Sequence, residues 1–346
     1  MASWGVLFFL IGLAGTWLAR RYAVARSLLD EPGERRSHQV ATPRGGGAAI
    51  VVAMLIAWGM LLAGWGSPLE AGEGALLSVF ASGLLLVAAV GWIDDHRPLS
   101  PALRLLVHIL ASTMFAAALH VMGAGGWLVV IGFIAPLVLT NIWNFMDGIN
   151  GLAASQALLL AAVLMLWLDG AWSFVALALM AAVAGFFPFN FPNARIFMGD
   201  VGSGAIGYAI GALCAVLMLQ RPLAPDRPDA TLILLPLAPF LVDAGLTLFR
   251  RVLRGERWWT AHVQHAYQAC ARRLGHAPVT LGYACVTVAG AVLAWCALGR
   301  SPSFIASSIL AWYMSAAILW VWLQRNMRET QGAPGNGADP SNKENG

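Results

Sequence analysis

The chain is short of charge and almost devoid of lysine. Of its 346 residues, 11% are charged and Lys343 is the single lysine, whereas a soluble globular domain has about 25% charged residues. This scarcity excludes an ordinary soluble domain. The net charge of +4 comes from arginine, and loops that face anionic lipid account for it without a nucleic-acid partner.

Cysteine is scarce as well, and the positions of the four residues exclude a disulfide framework. Cys214, Cys285 and Cys296 lie within hydrophobic runs, and Cys270 lies in a polar stretch. Their spacing matches no metal-binding motif either. The first hydrophobic run lacks basic residues before it and has an arginine pair after it, which predicts an uncleaved membrane anchor rather than a signal peptide.

The chain is rich instead in long hydrophobic runs. Hydrophobic residues make up 59% of it, and a helix needs about 20 mostly apolar residues to cross a bilayer. Because helices satisfy their own backbone hydrogen bonds in lipid, we predict an all-α, polytopic integral membrane helical bundle. The eleven predicted spans are roughly 3–19, 46–65, 75–93, 103–122, 127–142, 152–168, 172–187, 203–220, 231–249, 279–298 and 304–323.

Arginine positions predict how the bundle sits in the membrane. With eleven spans the termini lie on opposite sides, and an outside N-terminus puts 18 of the 21 basic residues on the inner side. Cytoplasmic loops carry such an excess, so we predict an N-out, C-in topology. We expect residues 1–326 to form a single transmembrane domain and the polar residues 327–346 to form a disordered cytoplasmic tail.

Two adjacent carboxylates, Asp94 and Asp95, stand at the end of the third predicted span. A charge at the edge of a span is costly and by default marks function. A divalent cation would relieve the repulsion between them, and Mg²⁺ typically binds one or two carboxylates together with phosphate oxygens and water. The alternative is a pair of solvated acids at a helix end before Pro98, although anions there oppose the helix dipole.

A second polar segment separates the fifth and sixth predicted spans. Asn141, Asn144 and Asp147 are spaced three apart, so on a helix they share one face, and Gly148 and Gly151 follow them. Such a face could bind a metal, a nucleobase edge or a sugar, and the glycines let a ligand come close. The alternative is a cluster of capping and turn residues.

A third segment precedes the eighth predicted span and contains Asn190, Arg195 and Asp200, with three glycines beside Asp200. Backbone N–H groups at a helix start bind anions well. Asp200 could be a second metal ligand, and Asn190 and Arg195 could orient a phosphate or a sugar. The alternative is that Asp200 or Ser203 only caps the helix.

Two further inner segments carry candidate residues. Arg44 precedes three glycines whose N–H groups could hold a phosphate together with its guanidinium, and the alternative is a basic anchor before a close-packed helix start. His262 and His265 are three apart, hence on one helical face, and could bind a metal, contact a pyrophosphate or move protons. We expect Trp258 and Trp259 to lie at the bilayer surface.

Asp243 stands alone inside the ninth predicted span. A buried acid there needs a partner. We expect that partner to be an arginine of the inner face or the metal site, and we assign Asp243 a supporting role.

The order of these segments resembles that of one family, the polyprenyl-phosphate N-acetylhexosamine-1-phosphate transferases of glycosyltransferase family 4. The resemblance covers about residues 40–270. It implies transfer of a sugar-1-phosphate from a UDP-linked N-acetylated sugar to undecaprenyl phosphate, with release of UMP, at the cytoplasmic face of a bacterial inner membrane. The matching motifs are Thr42-Pro-Arg-Gly-Gly-Gly, Asp94-Asp95, Asn141-x-x-Asn-x-x-Asp-Gly-x-x-Gly, Phe197-Met-Gly-Asp-x-Gly-Ser203 and the late histidine pair.

The resemblance also implies a cofactor, partners and residue roles. Mg²⁺ is the implied cofactor, with Mn²⁺ as an alternative, and the partners are undecaprenyl phosphate, a UDP-N-acetylated sugar and the lipid bilayer, while a homodimer stays open. The implied catalytic residues are Asp94, Asp95 and Asp200, of which Asp95 and Asp200 bind the metal. The implied substrate-binding residues are Arg44, Asn141, Asn144, Asp147, Asn190, Arg195, His262 and His265.

Two departures from the family pattern bear on the choice of sugar. Pro98 stands where many members have Asp or Lys, and the histidine segment reads His-Val-Gln-His-Ala-Tyr-Gln rather than a histidine-rich string. This form is similar to a branch that acts on deoxy-aminosugars, such as UDP-N-acetylfucosamine or UDP-N-acetylquinovosamine, in O-antigen or exopolysaccharide synthesis. The alternatives are a transporter or flippase for lipid-linked sugars, which would place charges at the bilayer midplane, and an inactive scaffold.

Overall fold

The computed structural model describes residues 2–30, 41–221, 229–257, 259–260 and 262–326. The predicted tail at 327–346 and Trp258 lie outside these residues. Within them the chain is almost entirely helical, and the two strands, β1 (Leu29–Asp30) and β2 (Thr42–Pro43), form one short antiparallel pair. The prediction of an all-α protein is confirmed.

Twelve α-helices make up the described chain. They are α1 (Ala2–Ala25), α2 (Ala48–Leu62), α3 (Glu73–His96), α4 (Pro101–Val121), α5 (Gly126–Met146), α6 (Leu152–Trp167), α7 (Gly170–Asn190), α8 (Asp200–Gln220), α9 (Leu234–Leu253), α10 (Ala266–Leu274), α11 (His276–Cys296) and α12 (Pro302–Asn326). A 3₁₀ turn at Ala230–Ile233 leads directly into α9.

Eleven of these helices coincide with the eleven predicted spans, and α10 is the exception. Nine helices of the described chain, one of them α9 together with the turn before it, are long and apolar enough to cross a membrane. Helices α2 and α6 are apolar too but shorter, with 15 and 16 residues. The prediction of a multi-pass helical membrane protein is therefore confirmed, and α10 is a short helix between α9 and α11.

Helix α8 runs through the centre of the bundle. Every residue from Val201 to Leu217 is buried, as expected for a helix that other helices surround on all sides. Small residues allow this close packing. A Cβ added at Gly207 would lie 2.3 Å from the carbonyl oxygen of Leu139 in α5, and one added at Gly91 in α3 would lie 2.4 Å from the carbonyl oxygen of Asp200.

One end of the bundle collects the polar segments that the sequence singled out. The C-terminal ends of α3, α5 and α7 meet the N-terminal ends of α2, α4 and α8 there, joined by contacts between α3 and α8, α3 and α4, α5 and α8, and α2 and α8. We call this end of the bundle the site end. Because α8 is central, its first residue, Asp200, lies in the middle of the site end.

The packing of α5 against α8 predicts that Gly207→Ala destabilises the protein. The added methyl group has backbone rather than a movable side chain to displace, and overpacking of this kind costs about 1–3 kcal/mol. We expect a lower apparent Tm in detergent. The matched control is Gly282→Ala in α11, where an added Cβ meets no atom within 4 Å. Equal Tm values for the two variants would contradict the close α5–α8 contact.

Candidate active site

The start of α8 is held by the carboxylate of Asp95. Its Oδ1 accepts a hydrogen bond from the backbone N–H of Asp200 at 3.1 Å, and its Oδ2 accepts one from the N–H of Val201 at 3.2 Å. A negative charge at a helix N-terminus is favourable because N–H groups there lack partners within the helix. Asp95 is 4% exposed. It therefore fixes α8 against α3 rather than facing open space.

Asp94 points the other way and shares a cation with Asp200. Its Oδ2 lies 2.8 Å from Nη1 of Arg104, and the same nitrogen contacts Oδ2 of Asp200. Its Oδ1 accepts from the N–H of Leu99 at 2.6 Å. The two carboxylates therefore lie side by side, with one guanidinium bridging them.

The adjacent acids are thus accommodated by the protein itself. Asp94 forms an ion pair with Arg104, and Asp95 accepts a hydrogen bond from the start of α8. Arg44 lies 4.0 Å from Oδ1 of Asp95. These contacts with protein groups relieve part of the repulsion, and a divalent cation near the pair stays a prediction. The expectation that Asp200 caps its own helix is wrong, because Gly199 occupies the cap position and the capping carboxylate is that of Asp95.

The glycines after Arg44 serve packing rather than phosphate binding. The N–H of Gly46 donates to the carbonyl of Phe197 and the N–H of Gly47 donates to that of Met198, both at 2.9 Å. A Cβ added at Gly47 would lie 2.2 Å from Cα of Gly202. The alternative of a close-packed helix start is the correct one for these two glycines. The guanidinium of Arg44 itself points towards Asp95 and stays a candidate for a phosphate contact.

Asn144 and Asp147 lie beside the start of α8 but do not share a helical face. Helix α5 ends at Met146, and Asp147 is the residue after it, with φ −88° and ψ 51°. The amide of Asn144 donates to Oγ of Ser203 at 3.3 Å, whereas that of Asn141 donates to the carbonyl of Leu137 in its own helix. The turn itself, rather than helical spacing, places Asp147.

The carboxyl group of Asp147 is the least satisfied acid of the site end. It forms no hydrogen bond or ion pair with any described residue. Burial, followed by the charges of Asp200, Asp95 and Asp30, raises the pKa of Asp147 to about 8. An added cation, or a proton, would therefore stabilise this carboxylate more than any other interaction it has.

Asn190 and Arg195 hold the segment before α8 in place. Asn190 is 3% exposed, its Oδ1 accepts from the N–H of Gly151 at 2.9 Å, and its amide donates to the carbonyl of Ile196 at 3.1 Å. Both ends of this amide contact backbone groups, so Asn190 positions the segment before α8. Arg195 is exposed, donates to the carbonyl of Pro188 at 2.6 Å and lies 5.0 Å above the ring of Phe189.

The two histidines come together, although they do not lie on a helix. Residues 262–264 are irregular and His265 is the cap residue of α10. The two rings have centroids 4.8 Å apart, and the ring of His265 lies 6.3 Å from that of Phe145, the neighbour of Asn144. We call residues 262–265 the histidine loop. It lies next to the turn that carries Asp147.

Three residues that the sequence analysis overlooked, or counted only as topogenic charges, support this site. Arg104 bridges Asp94 and Asp200. It follows Asp94 by ten residues, across the short turn between α3 and α4, and this spacing could have indicated their contact. Arg251 donates to the carbonyl of Arg257 at 2.7 Å, and Arg250 donates to the carbonyl of Gln264, in the histidine loop, at 3.4 Å. The last two arginines fasten the histidine loop and the segment that leads to it.

The described residues contain no group of three or more Asp, Glu, His or Cys side chains close enough to form a complete metal site. What the geometry offers is an acidic–arginine cluster, by which we mean Asp94, Asp95, Asp200, Arg44 and Arg104. Asp200 is 29% exposed and can reach a ligand. A cluster of this kind can bind phosphate groups through its arginines and a hard cation through its free carboxylate oxygens.

One protein family and several named proteins are similar to this chain. The model of the family described as glycosyl transferase family 4 matches residues 77–218, which run from α3 to α8 and include Asp94, Asp95, Asn144, Asp147 and Asp200. Arg44 and the histidine loop lie outside the match. The matched region is the part of the chain that builds the centre of the site end.

Individual relatives extend the similarity over most of the chain. The decaprenyl-phosphate N-acetylglucosaminephosphotransferase of Mycolicibacterium smegmatis is 28% identical over 278 residues, covering 72% of this chain and 67% of the relative. The probable undecaprenyl-phosphate N-acetylglucosaminyl 1-phosphate transferase of Bacillus subtilis is 26% identical over 254 residues, covering 69% and 68%. The undecaprenyl-phosphate alpha-N-acetylglucosaminyl 1-phosphate transferase of Yersinia pestis is 27% identical over 342 residues, covering 92% and 88%. The chain is thus similar to glycosyl transferase family 4 from α3 to α8 and to these transferases over most of its length.

The environment of Asp147 predicts a pH-dependent gain in stability for Asp147→Asn. The pKa of this group is raised on folding, so its contribution to stability is fully present below the ordinary value of 3.8 and is lost as pH rises through about 8. Removing the ionisable group removes that loss. In detergent with a chelator present, we expect the Tm of Asp147→Asn to exceed that of wild type more at pH 8.5 than at pH 5. A gain that is equal at the two pH values would contradict the burial of this carboxyl group.

Proposed function

We propose that this protein transfers a sugar-1-phosphate from a UDP-linked N-acetylated sugar to undecaprenyl phosphate. The products are an undecaprenyl-diphosphate-linked sugar and UMP. The site end would face the cytoplasm of a bacterial cell, in keeping with the excess of arginine there, and the protein would lie in the inner membrane. The relatives are named as transferases of this kind, which favours the enzyme over a transporter or flippase.

One observation carries the proposal, namely that Arg104 bridges two carboxylates beside the start of the central helix. Both proposed substrates are anionic phosphates, and they cannot approach each other unless positive charge lies between them. Arg104 in α4 and Arg44, which lies between β2 and α2, supply that charge. Asp95, by fixing the start of α8, sets where Asp200 stands relative to these arginines.

The carboxylates of the site suit a magnesium ion. Asp147 forms no hydrogen bond or ion pair with a described residue, and the charge of Asp200 contributes to its raised pKa. Mg²⁺ commonly uses only one or two carboxylates, with phosphate oxygens and water completing its shell. We therefore assign Asp200 and Asp147 as the residues that would hold Mg²⁺, or Mn²⁺ in its place. Asp95 is the less suitable ligand because both of its oxygens accept N–H groups.

The reaction needs positioning and charge neutralisation more than a strong base. An oxygen of the lipid phosphate attacks the β-phosphorus, and the bond from that phosphorus to the bridging oxygen breaks, so that the electron pair leaves with UMP. Phosphate monoesters have a second pKa of about 6, so the attacking phosphate is largely ionised near neutral pH. Arg104, Arg44 and the ordered start of α8 orient the phosphates, which is the main protein contribution to such transfers. Mg²⁺, when bound, would stabilise the charge that develops on the leaving UMP.

The finer assignment concerns the sugar and the pathway. The His-Val-Gln-His segment and Pro98 favour a deoxy-aminosugar donor, such as UDP-N-acetylfucosamine or UDP-N-acetylquinovosamine. The relatives named above carry N-acetylglucosamine in their names, so that sugar is the competing donor. An O-antigen or exopolysaccharide pathway follows if a deoxy-aminosugar is used.

A panel of nucleotide sugars tests the proposed reaction. Purified protein, Mg²⁺ and undecaprenyl phosphate are offered UDP-N-acetylglucosamine, UDP-N-acetylfucosamine and UDP-N-acetylquinovosamine in separate reactions, and UMP is measured. We expect UMP release that depends on the lipid phosphate and is fastest with one deoxy-aminosugar. Absence of UMP with every sugar would contradict the transferase, and a preference for UDP-N-acetylglucosamine would contradict the finer assignment.

Replacement of Asp200 tests the metal assignment. Asp200→Asn keeps the size of the side chain and removes its charge, and we expect turnover to fall by about 10²–10³-fold, as when one transition-state-stabilising group is lost. The matched control is Asp169→Asn, which changes an exposed aspartate at the opposite end of the bundle and should leave turnover unchanged. If Asp200→Asn remained active with its Mg²⁺ dependence intact, Asp200 would not be the ligand.

A further inference from the structure

Asp243 forms the most completely hydrogen-bonded carboxylate of the described chain, away from the acidic–arginine cluster. It lies in α9 and is 2% exposed. Its Oδ1 accepts hydrogen bonds from the N–H of Ala266 at 2.8 Å, from Nε1 of Trp320 at 3.0 Å and from Oγ1 of Thr247 at 3.3 Å. Every one of these groups is a donor, which suits a carboxylate that only accepts.

The second oxygen of Asp243 is equally occupied. Oδ2 accepts from the N–H of Tyr267 at 3.1 Å and from the hydroxyl of Tyr283 at 2.7 Å. No arginine contacts Asp243 among the described residues, so our expectation of an arginine or a metal as its partner is wrong. Four of the partners come instead from α10, α11 and α12, and Thr247 comes from α9 itself.

Two of the five donors are the first N–H groups of α10. They lack partners within the helix, and a carboxylate satisfies them and complements the helix dipole. Asp243 therefore determines where α10 begins. The residue just before that start is His265, whose Nδ1 lies 3.8 Å from Oδ1 of Asp243. His265 is 3% exposed, and its backbone N–H donates to Oε1 of Gln268 at 3.3 Å.

The same helix start is joined to the turn that carries Asp147. The hydroxyl of Tyr267 donates to the carbonyl of Phe145 at 2.9 Å. A Cβ added at Gly148 would lie 2.1 Å from that hydroxyl, so α10 and the turn are in direct contact. The rings of His265 and Tyr267 lie 5.7 Å apart with an angle of 20° between their planes. A shift of α10 would therefore move both histidine rings relative to Asp147.

We propose that Asp243 is a positioning residue, which sets the histidine loop against the Asp147 turn by holding the start of α10. The proposal rests on the proposed function in one respect, namely that the histidine loop contacts the diphosphate of the nucleotide sugar. Asp243 itself touches no substrate. It acts through α10 and His265.

Asparagine is the informative replacement because it keeps the shape of the side chain and replaces one acceptor oxygen by a donor NH₂ group. An asparagine side chain presents one acceptor oxygen and one NH₂ group. Whichever way it turns, the NH₂ faces a backbone N–H of α10 that can only donate, either that of Tyr267 or that of Ala266. The start of α10 must then move away from α9. A change confined to stability would leave the histidine loop in place, so the two effects can be separated.

Steady-state kinetics give the first test. For Asp243→Asn we expect the KM for the nucleotide sugar to rise about tenfold or more, the effect that loss of an outer partner of a ligand-binding histidine has in metal sites. We expect the KM for undecaprenyl phosphate to stay within about twofold of wild type. Wild-type KM values for both substrates, or equal rises in both, would overturn the proposal.

A matched pair of tyrosine variants keeps the test valid if Asp243→Asn fails to fold. Tyr283→Phe removes one donor to Asp243, whereas Tyr313→Phe removes a phenol that donates to the carbonyl of Leu234 at the other end of α9. We expect a smaller rise in the same KM for Tyr283→Phe and none for Tyr313→Phe. Equal effects of the two would indicate general loosening of α9 and would overturn the assignment.

A chemical readout separates this proposal from the transferase activity. Diethyl pyrocarbonate modifies accessible imidazoles, and mass spectrometry of peptides reports each histidine on its own. In wild type, buried His265 should react more slowly than His262, and Asp243→Asn should speed the modification of His265 by about tenfold or more. An unchanged rate would overturn the proposal even in an active enzyme. If wild type released no UMP with any sugar, the transferase would fail while this measurement still decided the role of Asp243.

Discussion

The carboxylate of Asp95 accepts hydrogen bonds from the first two N–H groups of α8, and most of the site depends on this contact. The terminal N–H groups of a packed helix need acceptors, and Asp95 supplies two of them. The contact joins the end of α3 to the start of the central helix. It thereby places Asp200 within reach of Arg104, beside Asp94, so that one guanidinium nitrogen contacts both carboxylates.

The same device recurs at a second place in the molecule. Asp243 accepts the first N–H groups of α10, as Asp95 accepts those of α8. In both cases an aspartate on one helix caps the start of another, and the capped helix carries or follows a functional side chain, Asp200 in one case and His265 in the other. Two caps of this type explain how the short segments between the helices can hold the site residues in place. Arg250 contacts the carbonyl of Gln264 in the histidine loop, and Arg251 contacts that of Arg257 before it.

The environment of each acid at the site end is determined by the groups that pack against it. Asp94 and Asp95 are neighbours in sequence, yet one contacts a guanidinium and the other a helix start. Asp147 has neither, and burial and nearby carboxylates raise its pKa to about 8. A divalent cation would stabilise the carboxylate of Asp147 more than that of Asp95, whose oxygens both accept N–H groups. For that reason we propose Asp147 and Asp200 as the metal ligands and Asp95 as a support for the start of α8.

The hydrophobic runs by themselves determined the helices, because a helix satisfies its own backbone hydrogen bonds in lipid. All eleven predicted spans coincide with helices. Residue type also located the polar segments, including Asp94, Asp200 and His265. The roles within those segments were decided only by the tertiary structure. Helical spacing failed for Asp147 and the histidines, because α5 and α10 end and begin beside them. Arg104 and the partners of Asp243 come from other helices, and spacing along one chain segment carries no information about contacts between helices.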